Sequence, residues 1–386
     1  MPGGLWRCPA GGLTAPRVTI LLLAIAAAAA VYQLIAIAAC IRHKIAAGGT
    51  AAPARLPLVS ILKPVRGLDY GFAQAIRSQA AQDYPAGFEI LFGIADDSDP
   101  ARPAIEELIR EFPQTPIRLV VSKTPAPNGK VGVLIDLARE ARHQVLVVND
   151  SDITVEPHYL RTVVAPLGNL SVGLVTCLYR AEVSDWPARF EALGIATDFA
   201  PSTLVAPLFG VSEFGLGSTL AFRRADLDRI GGFAAIADYI ADDYQLGAKL
   251  HGLGLTNLIS ALVVTTRLSA GSWSNAWQHQ LRWARTIRLT RSGGYTGLPI
   301  TFATLWAAIA ALAGLFPVAA GLLAVRLAMA ITAGWFVLGS ADVLRYCYLI
   351  PIRDLWGVAV WIAALFGNTV AWRDRRLKLD PNGRII

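Results

Sequence analysis

The stretch Val145–Val155, VLVVNDSDITV, decides how this chain is read. An apolar run ends in Asp150 and Asp152, with a single Ser between them. The run reads as a buried strand, and the acidic pair sits at its carboxyl end. Two carboxylates one residue apart can share a divalent cation. Hard oxygen ligands suit Mg²⁺ or Mn²⁺, and Mg²⁺ usually takes one or two carboxylates plus substrate phosphates. The competing reading is helix capping, since Asp is a favoured N-cap.

Outward from this stretch, strand-like and helix-like segments alternate. Val59–Leu62 is a short apolar strand and Phe72–Gln82 is helix-like. Phe88–Ala95 is a strand that ends in Asp96-Asp97-Ser98-Asp99. Ala104–Phe112 reads as helix, Ile117–Val121 as strand and Val131–Arg142 as helix. This alternation predicts an α/β fold with a parallel sheet and helices on both faces. Ligands bind such sheets at the carboxyl ends of the strands. The clusters around Asp96 and Asp150 both fall at that edge.

The rest of the chain points to a membrane. The whole chain is 54% hydrophobic and 16% charged, with a net charge of +7; soluble domains carry about 25% charged residues. The positive balance fits lipid-side topology and anionic headgroups. No Lys/Arg-rich run is interleaved with aromatics, so no nucleic-acid partner is expected. Val18–Ile41 is free of charge and long enough for a spanning helix. A signal peptide has a shorter apolar core, so a retained anchor is expected over residues 1–45. Gly48–Pro57 reads as a linker. Leu298–Val325 (broken at Gly314 and Pro317), Leu327–Ala341 and Leu355–Trp372 are further apolar segments. The basic tail from Arg373 favours a cytosolic end; with a cytosolic α/β unit the crossings between them are even in number, two or four. Cys8, Cys40, Cys177 and Cys347 show no CxxC or zinc spacing.

Other residues join the acidic pair as candidates. Asp96 could accept hydrogen bonds from a base or ribose. Asn128-Gly129-Lys130 opens a helix, where Lys130 could meet a phosphate. Asp242 and Asp243 begin a helix-like stretch, as caps or, for a buried carboxylate, as a general base. Trp277–Arg285 (WQHQLRWAR) has the Trp and Arg spacing of an interfacial helix.

Together these stretches resemble the GT-A glycosyltransferases of the ceramide glucosyltransferase type, from about Val59 to Trp283. VSILKPVRGLD (Val59–Asp69) is similar to the opening strand and loop of that family. DDSDPA (Asp96–Ala101), NDSDI (Asn149–Ile153) and IADDY (Ile240–Tyr244) resemble its three acidic motifs. GSTLAFRRADLDRIGGF (Gly217–Phe233) resembles the acceptor-side segment, and HQLRW (His279–Trp283) the closing (Q/R)xxRW motif.

The resemblance implies a Rossmann-like GT-A domain over residues 58–272, an interfacial helix over 273–297, membrane or re-entrant segments over 298–372 and a basic tail over 373–386. It implies inverting transfer from a UDP-sugar to a membrane lipid. Asp150 and Asp152 would hold Mg²⁺ or Mn²⁺ and Asp243 would be the catalytic base. Asp96, Lys130, Asp150, His279, Arg282 and Trp283 would bind the donor. The N-terminal YQLIA and ILKPVRGLD forms resemble the hopanoid-biosynthesis branch, which implies N-acetylglucosamine transfer to bacteriohopanetetrol at the bacterial cytoplasmic membrane, from the cytosolic side. Ceramide glucosylation from UDP-glucose, a processive polysaccharide synthase and a non-catalytic scaffold are the alternatives. Two departures stand out. His279 replaces the Gln or Arg of the last motif, and Gly132 and Val133 stand where ceramide enzymes tend to have asparagines.

Overall fold

A computed structural model describes residues 14–46, 56–372 and 375–386. The linker at Gly48–Pro57 falls largely outside the described residues, as do Arg7, Cys8, Arg373 and Asp374. Seven strands form one sheet: β1 (Val59–Pro64), β2 (Phe88–Ile94), β3 (Ile117–Val121), β4 (Val145–Val148), β5 (Val172–Val183), β6 (Leu220–Arg223) and β7 (Thr256–Leu268). They lie in the order β3-β2-β1-β4-β6-β5-β7. Every residue of β1 and β4 is buried, as expected of central strands covered on both faces.

The helices α2 (Phe72–Ala80), α3 (Arg102–Glu111) and α4 (Gly129–Glu140) follow β1, β2 and β3. Each stays within a few residues of the segment expected from the sequence. The sheet departs from the parallel expectation at one strand. β6 runs antiparallel to both β4 and β5, while β5 and β7 are parallel. One reversed strand brings its amino end, Gly217–Thr219, to the edge where the other strands have their carboxyl ends. Asp150 N donates to Gly217 O across that edge at 3.1 Å.

Between β5 and β6 the chain forms a bent helical run, Trp186–Phe209. The run is apolar and long enough to cross a membrane. It cannot do so alone, because the strands on either side of it are hydrogen-bonded neighbours (Leu174↔Phe222, Val175↔Ala221). It packs instead against the helical half, where Leu193, Ala196, Ala200 and Leu204 join Met329, Ala330 and Ala333 in one cluster.

The helix α1 (Thr14–Ala46) has 33 residues. At 1.5 Å per residue it is about 50 Å long, well over a bilayer core of ~30 Å. Small residues set its close packing: Ala26 and Ala29 meet Ala307, Ala310 and Ala319. Phe316–Val337 and Cys347–Ala364 are also long and apolar enough to cross. Ala303–Leu312 spans only about 15 Å and is bent 47° from Ser292–Thr301, so it cannot cross alone.

The apolar segment expected at Leu355–Trp372 ends early. Its helix, Ile350–Ala364, stops before Gly367 (φ 78°), and Thr369–Trp372 is a strand, β8. β8 pairs with β9 (Arg375–Lys378), so the basic tail is part of a hairpin. Ile385 N donates to Asp238 O at 2.7 Å and Ile240 N to Gly383 O at 3.2 Å. The tail is therefore docked on the same body as the sheet, and any crossings between β7 and β8 are even in number.

Candidate active site

β4 delivers the acidic pair, and the loop after it is held from below. Lys63 is fully buried in β1; its Nζ donates to Asn149 Oδ1 at 2.8 Å and to the Asp150 carbonyl at 2.9 Å. Burial pulls the Lys63 pKa down to about 8 against the opposing pull of Asp152, Asp150 and Asp69. The next helix, Tyr159–Val164, has His158 at its N-cap. Asp150 and Asp152 therefore cap nothing there, and the capping reading falls away. Asp152 Oδ2 accepts from Thr266 Oγ1 of β7, and Asp69 Oδ2 accepts from Ser151 Oγ at 2.5 Å. Burial first, then the like charges of Asp150 and Asp69, push Asp152 up to about 6.

The third acidic motif arrives from the other side. Asp242 and Asp243 lie in the first turn of the helix Asp242–His251, behind Ala241, which makes no side-chain cap. Asp243 Oδ1 accepts from Tyr244 N at 2.7 Å, and Oδ2 reaches across to Gly217 N at 2.9 Å. A Cβ on Gly217 would sit 2.7 Å from Asp150 Oδ2 and 3.4 Å from Asp243 Oδ2. The two carboxylates thus face one small space, which glycine leaves open.

Lys130 begins α4, where the Asn128 side chain caps the Lys130 and Val131 amides. The structure gives it carboxylate partners: its Nζ lies 2.8 Å from Asp150 Oδ1 and 3.0 Å from Asp242 Oδ2. Burial works against its charge, but Asp150, Asp242 and Asp243 overcome this and hold its pKa above the usual lysine range. Asp243 is pushed up to about 6, by burial first and then by Asp242, with Lys130 opposing.

Asp96 lies at the same sheet edge but outside this cluster. It is exposed, and its Oδ1 accepts from Ser98 N at 2.8 Å and Ser98 Oγ at 2.7 Å, which holds its carboxyl below the usual range. The helix Trp273–Thr290 carries the last motif. His279 Nδ1 lies 2.6 Å from Oε1 of buried Glu191, in the Trp186–Phe209 run. The His279 and Trp283 rings are 4.8 Å apart, Trp283 and Phe199 6.2 Å, and Phe199 and Tyr179 5.5 Å. Burial raises Tyr179 well above the usual phenol range, and Glu191, Asp243, Asp150 and Asp152 reinforce the shift. An aromatic layer therefore runs from the closing motif through Phe199 to Tyr179.

Sequence reasoning missed Lys63, Asp69, Tyr179, Glu191, Gly217 and Thr266. Lys63 left a signal, as the one charged residue in a strand that is otherwise without charge. Glu191 and Tyr179 left none, because their partners are remote in sequence.

Among the described residues, no three His, Cys, Asp or Glu side chains form a ready-made metal cage. The residues still fit a cation that shares its shell with a substrate. Asp150 Oδ2 borders the open space above Gly217 and Asp152 is beside it. Asp69, Asp150, Asp152, Asp242 and Asp243 surround two ammonium groups, Lys63 and Lys130. That negative excess, presented as hard oxygen donors, suits Mg²⁺ or Mn²⁺.

A mixed sheet with one reversed strand and acidic loops gathered at one edge is a GT-A-like architecture. The chain belongs to glycosyl transferase family 21, whose model matches residues 20–385. Ceramide glucosyltransferase 1 of Caenorhabditis elegans is 28% identical over 209 residues, covering 53% of this chain and 44% of that protein. Beta-monoglucosyldiacylglycerol synthase of Synechocystis sp. is 24% identical over 259 residues, covering 64% and 50%. The chain spans about half the length of these curated relatives. A mannosyltransferase of Pyrobaculum calidifontis, solved with GDP-Man and Mn²⁺, shares the fold. Its TM-score is 0.52 at 20% identity, covering 88% of this chain and 97% of that one.

Proposed function

We propose that this protein is an inverting lipid glycosyltransferase. It moves a sugar from a UDP-sugar to the hydroxyl of a membrane lipid. The observation that carries the reading is the convergence of Asp150 and Asp243 on the space above Gly217. It brings two carboxylates to one cleft, which supports a metal ligand working beside a base. The relatives' names, a ceramide glucosyltransferase and a diacylglycerol glycolipid synthase, support a lipid acceptor. Mn²⁺ in the fold neighbour supports a divalent metal.

The residue roles are those the family resemblance implies, and the carboxylate cluster supports those of Asp150, Asp152 and Asp243. Asp243 removes the proton from the acceptor hydroxyl as that oxygen attacks the anomeric carbon, through an oxocarbenium-like state. Asp150 and Asp152 would hold Mg²⁺ or Mn²⁺, which when bound supplies Lewis-acid stabilisation to the departing diphosphate. Lys130 balances Asp150 and Asp242 at rest and turns to the donor phosphates when they arrive. Asp96 contacts the uridine end, and Arg282 and Trp283 close over diphosphate and sugar. Glu191 accepts the Nδ1–H of His279, which fixes the ring tautomer and leaves Nε2 for the substrate. Glu191→Gln should lower kcat/KM by roughly 10–100-fold, the worth of one hydrogen bond to a charged group. Steady-state kinetics on detergent-purified protein measures this.

Within this reading residues 58–272 are the catalytic unit, 273–297 the interfacial helix and 298–372 the membrane-associated part. The catalytic unit faces the cytosol at a bacterial cytoplasmic membrane. The favoured pair is N-acetylglucosamine and a bacteriohopanetetrol-type hopanoid, on the resemblance of the YQLIA and ILKPVRGLD segments. The relatives' names support ceramide with UDP-glucose as the second reading. Incubation with a panel of UDP-sugars, each paired with a hopanoid polyol, ceramide or diacylglycerol, tests it by mass spectrometry of the lipid fraction. Glycosylated hopanoid is the expected product. Product from ceramide and UDP-glucose alone would overturn the favoured pair.

A further inference from the structure

Asp380-Pro381-Asn382-Gly383 has the residues of a type I turn, with Asp first, Pro second and Gly last. The fold uses it that way. Gly383 N donates to Asp380 O at 3.1 Å, Gly383 takes a φ of 78°, and Asp380 Oδ1 accepts from the amides of Asn382 and Arg384, both at 2.8 Å. Ile385 then faces Leu379 in an antiparallel bridge. The returning segment is thus shaped by its own turn before it meets the rest of the molecule.

What it meets is the loop in front of the proposed base. Tyr239 and Arg384 form an antiparallel bridge, flanked by the bonds from Ile385 N to Asp238 O at 2.7 Å and from Ile240 N to Gly383 O at 3.2 Å. Arg384 Nε donates to Tyr239 Oη at 3.0 Å, and its guanidinium lies 5.2 Å from the centre of the Tyr239 ring. Ile240 is buried with Val370 and Leu379, against Leu289 of the helix Trp273–Thr290. Asp242 and Asp243 come directly after Ala241, and their helix has no side-chain cap of its own. The path of residues 238–241 therefore sets where that helix starts.

The same loop also touches the Lys130 side of the site. Tyr239 O accepts from Asn128 Nδ2 at 2.8 Å and Ala237 O from Asn128 N at 2.9 Å, while Asn128 Oδ1 accepts from the Lys130 amide at 3.0 Å. We propose that Arg384, acting through Tyr239, is a positioning residue for Asp243. Residues 383–385 add a strand to the loop 238–241 and so fix the base relative to Lys130 and Gly217. This rests on the transferase reading above. The hairpin that carries the strand is held at its root. Arg285 donates to the carbonyls of Thr369 and Phe366 at 2.5 and 2.9 Å, and Arg288 to that of Gly367 at 2.7 Å. The helix Trp273–Thr290 and the base loop are thereby joined through one hairpin. α4 buries Val131, Leu134 and Leu137 in the core, so release of the strand leaves Lys130 in place and moves Asp243.

The test uses the whole chain in detergent, with a UDP-sugar and lipid acceptor that the wild type turns over. Displacing reacting groups by about 1 Å can lower a rate by ~10²-fold, and the partial release of the loop in Arg384→Ala should lower kcat by about 10-fold. Donor KM and UDP affinity should hold. Tyr239→Phe removes only the hydroxyl and should show the same split with a smaller loss. Arg384→Lys keeps a cation over the Tyr239 ring and should recover part of the rate. Arg376→Ala removes an exposed charge from the same hairpin and should keep the wild-type kcat. Hydrogen exchange of the amides 238–244 should quicken in Arg384→Ala and not in Arg376→Ala. Should thermal melting show that Arg384→Ala does not fold, Tyr239→Phe decides. Unchanged kcat, unchanged exchange, a KM that rises in step with the loss of kcat, or an equal loss in Arg376→Ala overturns the positioning role alone. No turnover of any UDP-sugar by the wild type overturns the transferase reading, and the role at Asp243 with it.

Discussion

Asp243→Asn should lower kcat by roughly 10²–10⁴-fold, the usual worth of a positioned general base. UDP binding should survive, because an amide oxygen can still accept from Gly217 N, the bond Asp243 Oδ2 makes at 2.9 Å. The wild type should also show an acid limb. Burial and Asp242 push the Asp243 pKa up to about 6. The base is active when deprotonated, so kcat/KM should rise with pH up to about 6 and level off above it. Equal loss of turnover and UDP affinity in the variant would make Asp243 a structural residue.

The second large effect concerns a residue with no side chain. Gly217→Ala puts a Cβ 2.7 Å from Asp150 Oδ2 and 3.4 Å from Asp243 Oδ2. The first distance is well inside van der Waals contact, so the Asp150 carboxylate must move. It is also tethered to Lys130 at 2.8 Å, and Asp243 is tied to the amide of residue 217 itself. A shift of about 1 Å in reacting groups can lower the rate by ~10²-fold, and a loss of that size in kcat/KM is expected here. The melting temperature should barely change, because the clash is with side-chain ends and not with packed backbone. Full activity in Gly217→Ala would mean that the two carboxylates do not share the reacting space.

The parts of the site that were legible in the sequence are those written locally. Val145–Val148 followed by Asp150 and Asp152 announced a strand end with an acidic pair, and the fold has it there. Asp242 and Asp243 announced a first helical turn, though not that Asp243 reaches Gly217. Strand direction is not local. Nothing in Leu220–Arg223 says that it runs against its neighbours, and this reversal brings Gly217 to Asp150.

Pairings between distant segments were equally hidden. Lys130 looked like a phosphate ligand because it opens a helix, yet its resting partners come from the loop after β4 and the first turn of Asp242–His251. His279 pairs with Glu191, 88 residues away. Trp186–Phe209 gave no helical signal because Pro187, Pro201 and Pro207 interrupt it, as do the charges of Arg189, Glu191 and Asp198. The apolar run toward Trp372 read as one segment because hydropathy does not register the turn at Gly367 that converts it to a hairpin.

Calorimetric titration of UDP into the purified protein, with and without Mn²⁺, bears most directly on the central claim. Mn²⁺ should strengthen UDP binding in the wild type and in Asp243→Asn, and Asp150→Asn should abolish that gain. UDP affinity indifferent to Mn²⁺, or a metal effect that survives in Asp150→Asn, would contradict a metal-held diphosphate at this strand end.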